Sequence, residues 1–533
     1  MIGTRSACVG LLWLMGCLLL WPQDTAAQKG TWEKAQRAGM QAYKQGRYDE
    51  AATELATALA EAERSGVSEQ RLTAILTSLA LAYNAQMLYA KAEPLYQRIL
   101  SMRQGSLGPE HREVAVSLDN LAEVYEAQGY YSKAEALYQE ALLIREKTLK
   151  LHHPAIATSL DSLAGVYEAQ GYYGKAEALY QRALLSREKT LKANHPSLAT
   201  SLTNLAEIYR AQGRFSEAEA LYRRALAVCE KAFGPHHMHV ATSLSALAKV
   251  VAAQGQDVQA ETLYQRALAV AERAMGPDHP EVAVALTNLA EFYRTEGRYA
   301  QAETWHLRAL GLRERALGAD HPDVAVSRNY LAGLYEAEGQ PARAEPLYQR
   351  SLLVRERVLG PDHPDVAVSL HSLGEFYRLQ KRYEQAEPLY LRAVATWEKA
   401  LGPEHPDLAT GLSNLGELYR LQGQLARAQS LCQRALAIRE SMLGPDHFEV
   451  ATSLNTLALV YVAEGRHEQA EPLYIRALAT SEKALGPEHA STALVLENYA
   501  TLLRHSKRET EAVALQARAT MIRARFVQQS SVR

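Results

Sequence analysis

Ten histidines give the first chemical signal. His111, His153, His195, His237, His279, His321, His363, His405, His447 and His489 stand 42 residues apart. Imidazole is a common metal ligand and a general base near neutral pH, so the row raises a metal or catalytic reading. Zinc needs its ligand nitrogens about 2.0–2.1 Å from one ion, whereas packed helical units are displaced by about 10 Å. Neighbouring copies cannot share an ion, and the row points to a structural task, each ring packing or hydrogen-bonding within its connector. The run His236-His237-Met238-His239 is the one true cluster. It has no acidic or cysteine partner nearby in sequence; a metal-responsive sensor is a further reading, and no metal site or cofactor is assigned. The chain contains no G-x-x-x-x-G-K-[S/T], H-E-x-x-H, G-x-S-x-G or C-x-x-C. Each of those patterns carries a specific chemistry, so the expectation is a protein that is not an enzyme.

The histidines mark a repeat, and a fixed period of this size decides the architecture. Within residues 115–156, Leu118, Leu121, Ala122 and Tyr125 recur on one helical face, Gly129 interrupts, and Ala134, Leu137, Tyr138, Ala141 and Leu142 form a second stripe. Two amphipathic helices joined by a Gly turn make an antiparallel hairpin. Neither helix buries its stripe alone, so each hairpin leans on the next copy and touches only its neighbours. Ala51, Ala92, Ala134 and their equivalents through Ala512 hold one place in every unit, as helix axes about 8–10 Å apart require. The connectors follow the same logic. Gly360 ends a helix, Pro361 prevents its continuation, and Asp362 and Pro364 suit the next amino terminus. Lys150-Leu151-His152 and Lys192-Ala193-Asn194 depart from that pattern.

This arrangement resembles the tetratricopeptide repeat, whose small, Tyr, Ala, Tyr/Phe and Ala places match residues 122, 125, 134, 138 and 141. The motifs L-x-N-L-A, Q-G-R-Y, A-E-x-L-Y-x-R-A-L and L-G-P-x-H-P are similar to the repeats of kinesin light chains and nephrocystin-3-like proteins. The resemblance covers roughly nine-tenths of the chain. It implies an all-α fold, an α-solenoid forming a right-handed superhelix of about twelve antiparallel helix hairpins, which binds peptide segments of other proteins in its concave groove. The expected organisation is a leader at 1–27, an amino-terminal capping hairpin at 28–66, ten 42-residue repeats at 67–492, and a capping hairpin with a tail at 493–533. No heptad segment precedes the repeats, so the resemblance is to the repeats and does not extend to motor association.

The informative variation lies on the first helix of each unit. The place of Asn120 holds Asn204, Asn288, Asn414 and Asn498, but Ser162, Ala246, Tyr330, Ser372 and Thr456 elsewhere. In tetratricopeptide proteins this place faces the groove, which implies that Asn120, Asn204, Asn288 and Asn414 pin a peptide backbone. A carboxamide could equally hydrogen-bond the neighbouring repeat. Three and six residues further on come Glu207/Arg210, Glu291/Arg294, Glu375/Arg378 and Glu417/Arg420. As exposed i,i+3 ion pairs they would add only about 0.2–0.5 kcal/mol each. Arg210, Arg294, Arg378 and Arg420 either line a groove for a mixed-charge peptide or belong to a solvated face.

Lys+Arg 58 against Asp+Glu 60 leaves no electrostatic footprint for nucleic acid. Arg5, the apolar run Ala7 to Trp21 and Thr25-Ala26-Ala27 read as a secretory signal peptide cleaved after Ala27. The run is short for a membrane span of about 20 residues, so no span is expected once it is removed; a rival is lipidation at Cys17. Cys229 and Cys432 lie about five repeats apart, too far for a disulfide in a stack of neighbour contacts. The expected location is the periplasm or the exterior, a bacterial envelope being favoured by the lack of any Asn-x-Ser/Thr sequon. Beside peptide binding stands a second reading, a self-associating spacer in an envelope assembly.

Overall fold

The computed structural model describes residues 31–45 and 47–531. The expected leader, with Cys17 and the cleavage place, and the turn residue Gly46 lie outside the described residues. Among the described residues there are 24 helices and no strand; taken two by two in chain order they give the expected dozen hairpins. None of these helices is long and apolar enough to cross a membrane.

The chain divides into two compact units, 1–166 and 167–533. The first holds the hairpins Thr31–Lys44/Tyr48–Arg64, Glu69–Ala85/Tyr89–Leu107 and Arg112–Ala127/Tyr131–Thr148. The second holds eight, from Pro196–Ala211/Phe215–Phe233 to Ala490–His505/Glu509–Ser531. The last helix runs to Ser531.

The small-residue rule of the sequence is met in the core. Ala122, Ala134, Ala141, Ala206, Ala218 and Ala225 are fully buried, and the tyrosines Tyr138, Tyr180, Tyr222 and Tyr390 fill the space beside such alanines. Turns within hairpins use a left-handed residue, Gly129 (φ 76°) or Gly213 (φ 74°) for example. Met87, Lys381 and Lys507 adopt the same conformation with a side chain, at roughly 1–2 kcal/mol each. Most second helices end on a glycine such as Gly360 (φ 87°). In the two departing connectors the helices Tyr131–Thr148 and Tyr173–Thr190 stop instead at extended Leu149 (φ −117°) and Leu191 (φ −108°).

The periodic histidines have a defined task. All but His279, which stands three residues ahead of Val282–Thr295, are the residue before a first helix, and in all ten Nδ1 accepts the backbone N–H two residues on. The distances are 3.2 Å at His111, His153, His195, His237, His279 and His447, 3.1 Å at His321 and His489, and 3.0 Å at His363 and His405. An amino-terminal helix cap of this kind satisfies a donor that has no partner inside the helix. The proton of the neutral ring therefore sits on Nε2.

A second device ties six of the units to the next and is not evident from hydrophobic spacing. A buried or half-buried arginine late in a second helix donates to a serine of the following first helix, always 14 residues on. Arg103–Ser117 (2.8 Å), Arg313–Ser327 (2.5 Å), Arg355–Ser369 (2.8 Å) and Arg439–Ser453 (2.6 Å) are joined by Arg145–Ser159 and Arg187–Ser201. Where the arginine is replaced by Trp397, the serine is replaced by Gly411, and a Cβ there would stand 2.9 Å from the indole ring.

One expectation fails within the second unit. Hairpins touching only their neighbours is a rule for open solenoids, yet His405 Nε2 donates to the carbonyl of Ala169 at 2.5 Å and His447 Nε2 to that of Ala211 at 2.7 Å. Both pairs are 236 residues apart. The rotation from hairpin to hairpin brings this unit's array back onto itself. Gly171 sits so close that a Cβ would lie 2.3 Å from Pro406.

Candidate peptide-binding face

The first helix of each unit fixes one row of side chains by helical periodicity. Asn288, Glu291 and Arg294 follow one another at i, i+3 and i+6 on Val282–Thr295, and so share a face. Within that row the glutamate–arginine pairs form as the sequence spacing requires: Arg210–Glu207 at 2.9 Å, Arg294–Glu291 at 3.0 Å, Arg420–Glu417 at 2.7 Å and Arg378 Nε–Glu375 at 2.9 Å.

The stripe is not the fully exposed one that the sequence suggests. Both members of every pair are half-buried, Arg378 and Glu375 keeping 18% and 29% of their side-chain surface. The reason is a contact that the sequence reading missed. The carboxylate also accepts from the second helix, from Tyr390 to Glu375 at 2.5 Å, from Tyr222 to Glu207, and in hydrogen-bond contact with His306 at Glu291, 3.0 Å. The signal was present in the sequence as the 42-residue recurrence of these tyrosines, which periodicity marks as core but whose hydroxyls must also find partners.

These partners set the electrostatics. Burial pushes the Glu207 carboxyl up, but Arg210 and the Tyr222 hydroxyl more than offset it, so it lies below the usual carboxylate range. The same balance holds Glu291 down through His306 and Arg294, and Glu375 down through Arg378 and Tyr390. Burial pushes the Lys249 ammonium down, Arg210 acting with it and Glu207 against. In the first unit the place three residues after Glu123 holds Glu126 in place of an arginine. There burial, with Asp119 and Glu126 adding repulsion, pushes the Glu123 carboxyl up to about 8.

The candidate asparagines separate into two kinds. Asn414 Nδ2 meets His371 Nε2 of the preceding repeat at 2.8 Å, and the same link between repeats recurs as Asn498–Asn455 at 3.0 Å and Asn329–Ser372 at 3.2 Å. Asn120, Asn204 and Asn288 are partly exposed and, among the described residues, make no side-chain hydrogen bond within their own units. An unspent carboxamide offers both a donor and an acceptor to a peptide backbone. His371, which the sequence reading did not single out, lies 5.5 Å from the Trp397 ring and 5.6 Å from the Tyr390 ring.

The alternation of small, tyrosine and alanine places, now seen as buried hairpin contacts, is matched throughout by a family profile. The tetratricopeptide repeat profile matches ten overlapping stretches, from 70–147 and 123–189 through 407–479 to 449–524. The chain is a tetratricopeptide repeat protein. Among solved structures it is similar to nearly identical TPR-like repeats from Podosopora anserina, described under the name kinesin light chain. Identity there is 27% over 38% of this chain and 97% of that one, with a TM-score of 0.35. It is also similar to BtubC (BKLC) from P. vanneervenii, 25% identical over 43% of this chain and 92% of that chain, with a TM-score of 0.37. No curated protein matches it.

Tetratricopeptide repeats indicate a protein–protein interaction scaffold, and the first-helix face of this one is polar. It presents carboxamides, guanidinium groups and carboxylates, Glu207 and Glu375 held by tyrosine hydroxyls and Glu291 by the His306 ring. The His236–His239 run does not form a chelating cluster: His237 stacks on Phe233 at 4.5 Å, with the His239 ring 5.0 Å from it. Among the described residues no three of His, Cys, Asp and Glu come together in a way that could hold a metal ion. Cys229 and Cys432 are both buried and free.

Proposed function

We propose that this protein is an exported, non-enzymatic scaffold that binds an extended segment of a partner protein along the first-helix rows of its repeats. The observation that carries the reading is the pair of unspent carboxamides, Asn204 and Asn288, each followed by a half-buried glutamate–arginine pair. Ordered charges whose geometry is already fixed lose little freedom when a ligand arrives. A guanidinium holds five N–H donors in a planar fork, so Arg210 and Arg294 retain donors for a partner's carbonyls or carboxylates after bonding Glu207 and Glu291. Asn120 supports the same reading in the first unit; Asn414, Arg378 and Arg420 support it with one bond already made inside the protein. Export rests on the basic start, apolar run and small-residue end of residues 1–27.

The test begins with a pull-down from envelope extract using the chain without residues 1–27, followed by titration of the captured segment. The Asn204→Ala/Asn288→Ala double variant is expected to bind at least about tenfold more weakly, about 1.4 kcal/mol, with unchanged helicity by circular dichroism. Equal affinity in the double variant would remove the face assignment.

A further inference from the structure

The contact between His405 and Ala169 shows what two edges of the second unit can do for one another. One edge carries the connectors, with a capping histidine whose Nε2–H points away from its own helix. The other carries the turns within hairpins, with the carbonyl of the last residue of a first helix. Where the array passes over itself, the two edges meet with matched chemistry. His405 and His447 are 7% and 4% exposed, Ala169 and Ala211 accept their protons, Gly171 leaves room for Pro406, and Phe448 reaches within 4.0 Å of the Cβ position on Gly213.

Every component of that contact recurs in units where nothing covers it. His195 and His237 cap their helices in the same way, stand exposed, and make no Nε2 hydrogen bond among the described residues. On the other edge the turns 421–423 and 463–465 have exposed Leu421 and Ala463 at the places of Ala169 and Ala211, and Gly423 and Gly465 at the places of Gly171 and Gly213. Leu421 adds 38% of its surface as uncovered apolar area. The turn at 379–381 is unsuited, because Lys381 has a Cβ where Gly171 has none. The covered contact uses two adjacent connectors on two adjacent turns, and both free edges repeat with the same 42-residue spacing.

From this continuity we infer that a second copy of this chain docks on the uncovered edge, its His195 and His237 connectors seated on the Leu421–Gly423 and Ala463–Gly465 turns of the first. The surfaces differ on the two copies. The association is therefore heterologous and leaves a free edge of each kind, so it grows by addition of further copies and does not stop at a symmetric dimer.

Sedimentation velocity over a concentration series tests this with three proteins. The native chain is expected to give a concentration-dependent series of species extending beyond dimer. His195→Asn/His237→Asn removes the Nε2 donors while keeping a side-chain cap, and Leu421→Arg/Ala463→Arg blocks the turns. Each variant alone should sediment as a monomer, and an equal mixture should form a dimer and nothing larger, because one good edge of each kind remains. A native chain that stays monomeric, a variant that assembles alone, or a mixture that does not pair would each overturn the inference. Should a variant lose helicity, a second measurement decides. Mixed Met238→Cys and Ala463→Cys chains should form a disulfide between copies under mild oxidation, and absence of that cross-link counts against the contact.

Discussion

The same place on the repeat carries opposite electrostatics in the two units. On Arg112–Ala127 the glutamate at 123 is followed by another at 126, Tyr138 donates to Glu126 at 3.2 Å, and Glu123 has no hydrogen-bond partner among the described residues. Its carboxyl is driven up to about 8 by burial and by Asp119 and Glu126. On Pro364–Leu379 the glutamate at 375 is followed by Arg378, receives Tyr390, and is held down. The backbone is equivalent in the two hairpins. The neighbours three positions on and four positions back, Glu126 and Asp119 in one hairpin against Arg378 and His371 in the other, decide whether a half-buried carboxyl is an anion or a proton store.

Removing the arginine should break the contrast most strongly. Arg378→Ala takes from Glu375 the guanidinium that Glu123 also lacks, and chemical denaturation at pH 7 should show a loss of about 2 kcal/mol, the scale of a charged hydrogen bond. An unchanged midpoint would mean that the pair is solvated after all. The reverse exchange, Glu126→Arg, gives Glu123 the partner it lacks. Its carboxyl should fall by about two pH units, within the range of a single opposite charge, as followed by carbon-detected NMR titration.

The pH dependence of the two units should then differ in sign. A carboxyl raised in the folded state contributes stability that is present below its unfolded pKa and is lost as pH rises towards about 8, as for Glu123. Carboxyls lowered in the folded state contribute stability that is present above their unfolded pKa and is lost as pH falls, as for Glu207, Glu291 and Glu375. Hydrogen exchange followed from pH 6 up to pH 9 and from pH 6 down to pH 3 should therefore find 112–148 loosened by alkali and 364–401 loosened by acid, the latter only below the ordinary carboxylate range. The same direction in both segments would refute the account. The smallest effect is the one that should not distinguish the units. His153→Ala and His363→Ala each remove the same cap, and each should cost about 1 kcal/mol, with His→Asn restoring most of it.

Much of this was legible in the chain because the physics is short-ranged. The hairpins, their turns at Gly129 and its equivalents, and the two irregular connectors follow from spacing of apolar, small and left-handed residues within one period. The Glu207/Arg210 type of pair was legible as a pair but not as a half-buried one, since its partner Tyr222 lies on the other helix. The Arg–Ser link at an offset of 14 was hidden for a different reason. Periodicity marks arginine as surface, and only the packing of Arg355 against Ser369 shows it inside.

The sequence by itself determined the repeat, the helical hairpin and the family, because a 42-residue period of small and aromatic residues leaves the chain one way to bury its stripes. It also placed a histidine in the connector ahead of ten of the first helices. Only the tertiary structure decided which of those histidines are buried. His405 and His363 both stand between Leu-Gly-Pro-acid and Pro-Asp, yet only His405 is buried, because small rotations between successive hairpins accumulate over 236 residues until one part of the array lies on another. No residue encodes that sum locally; it is a property of the stack.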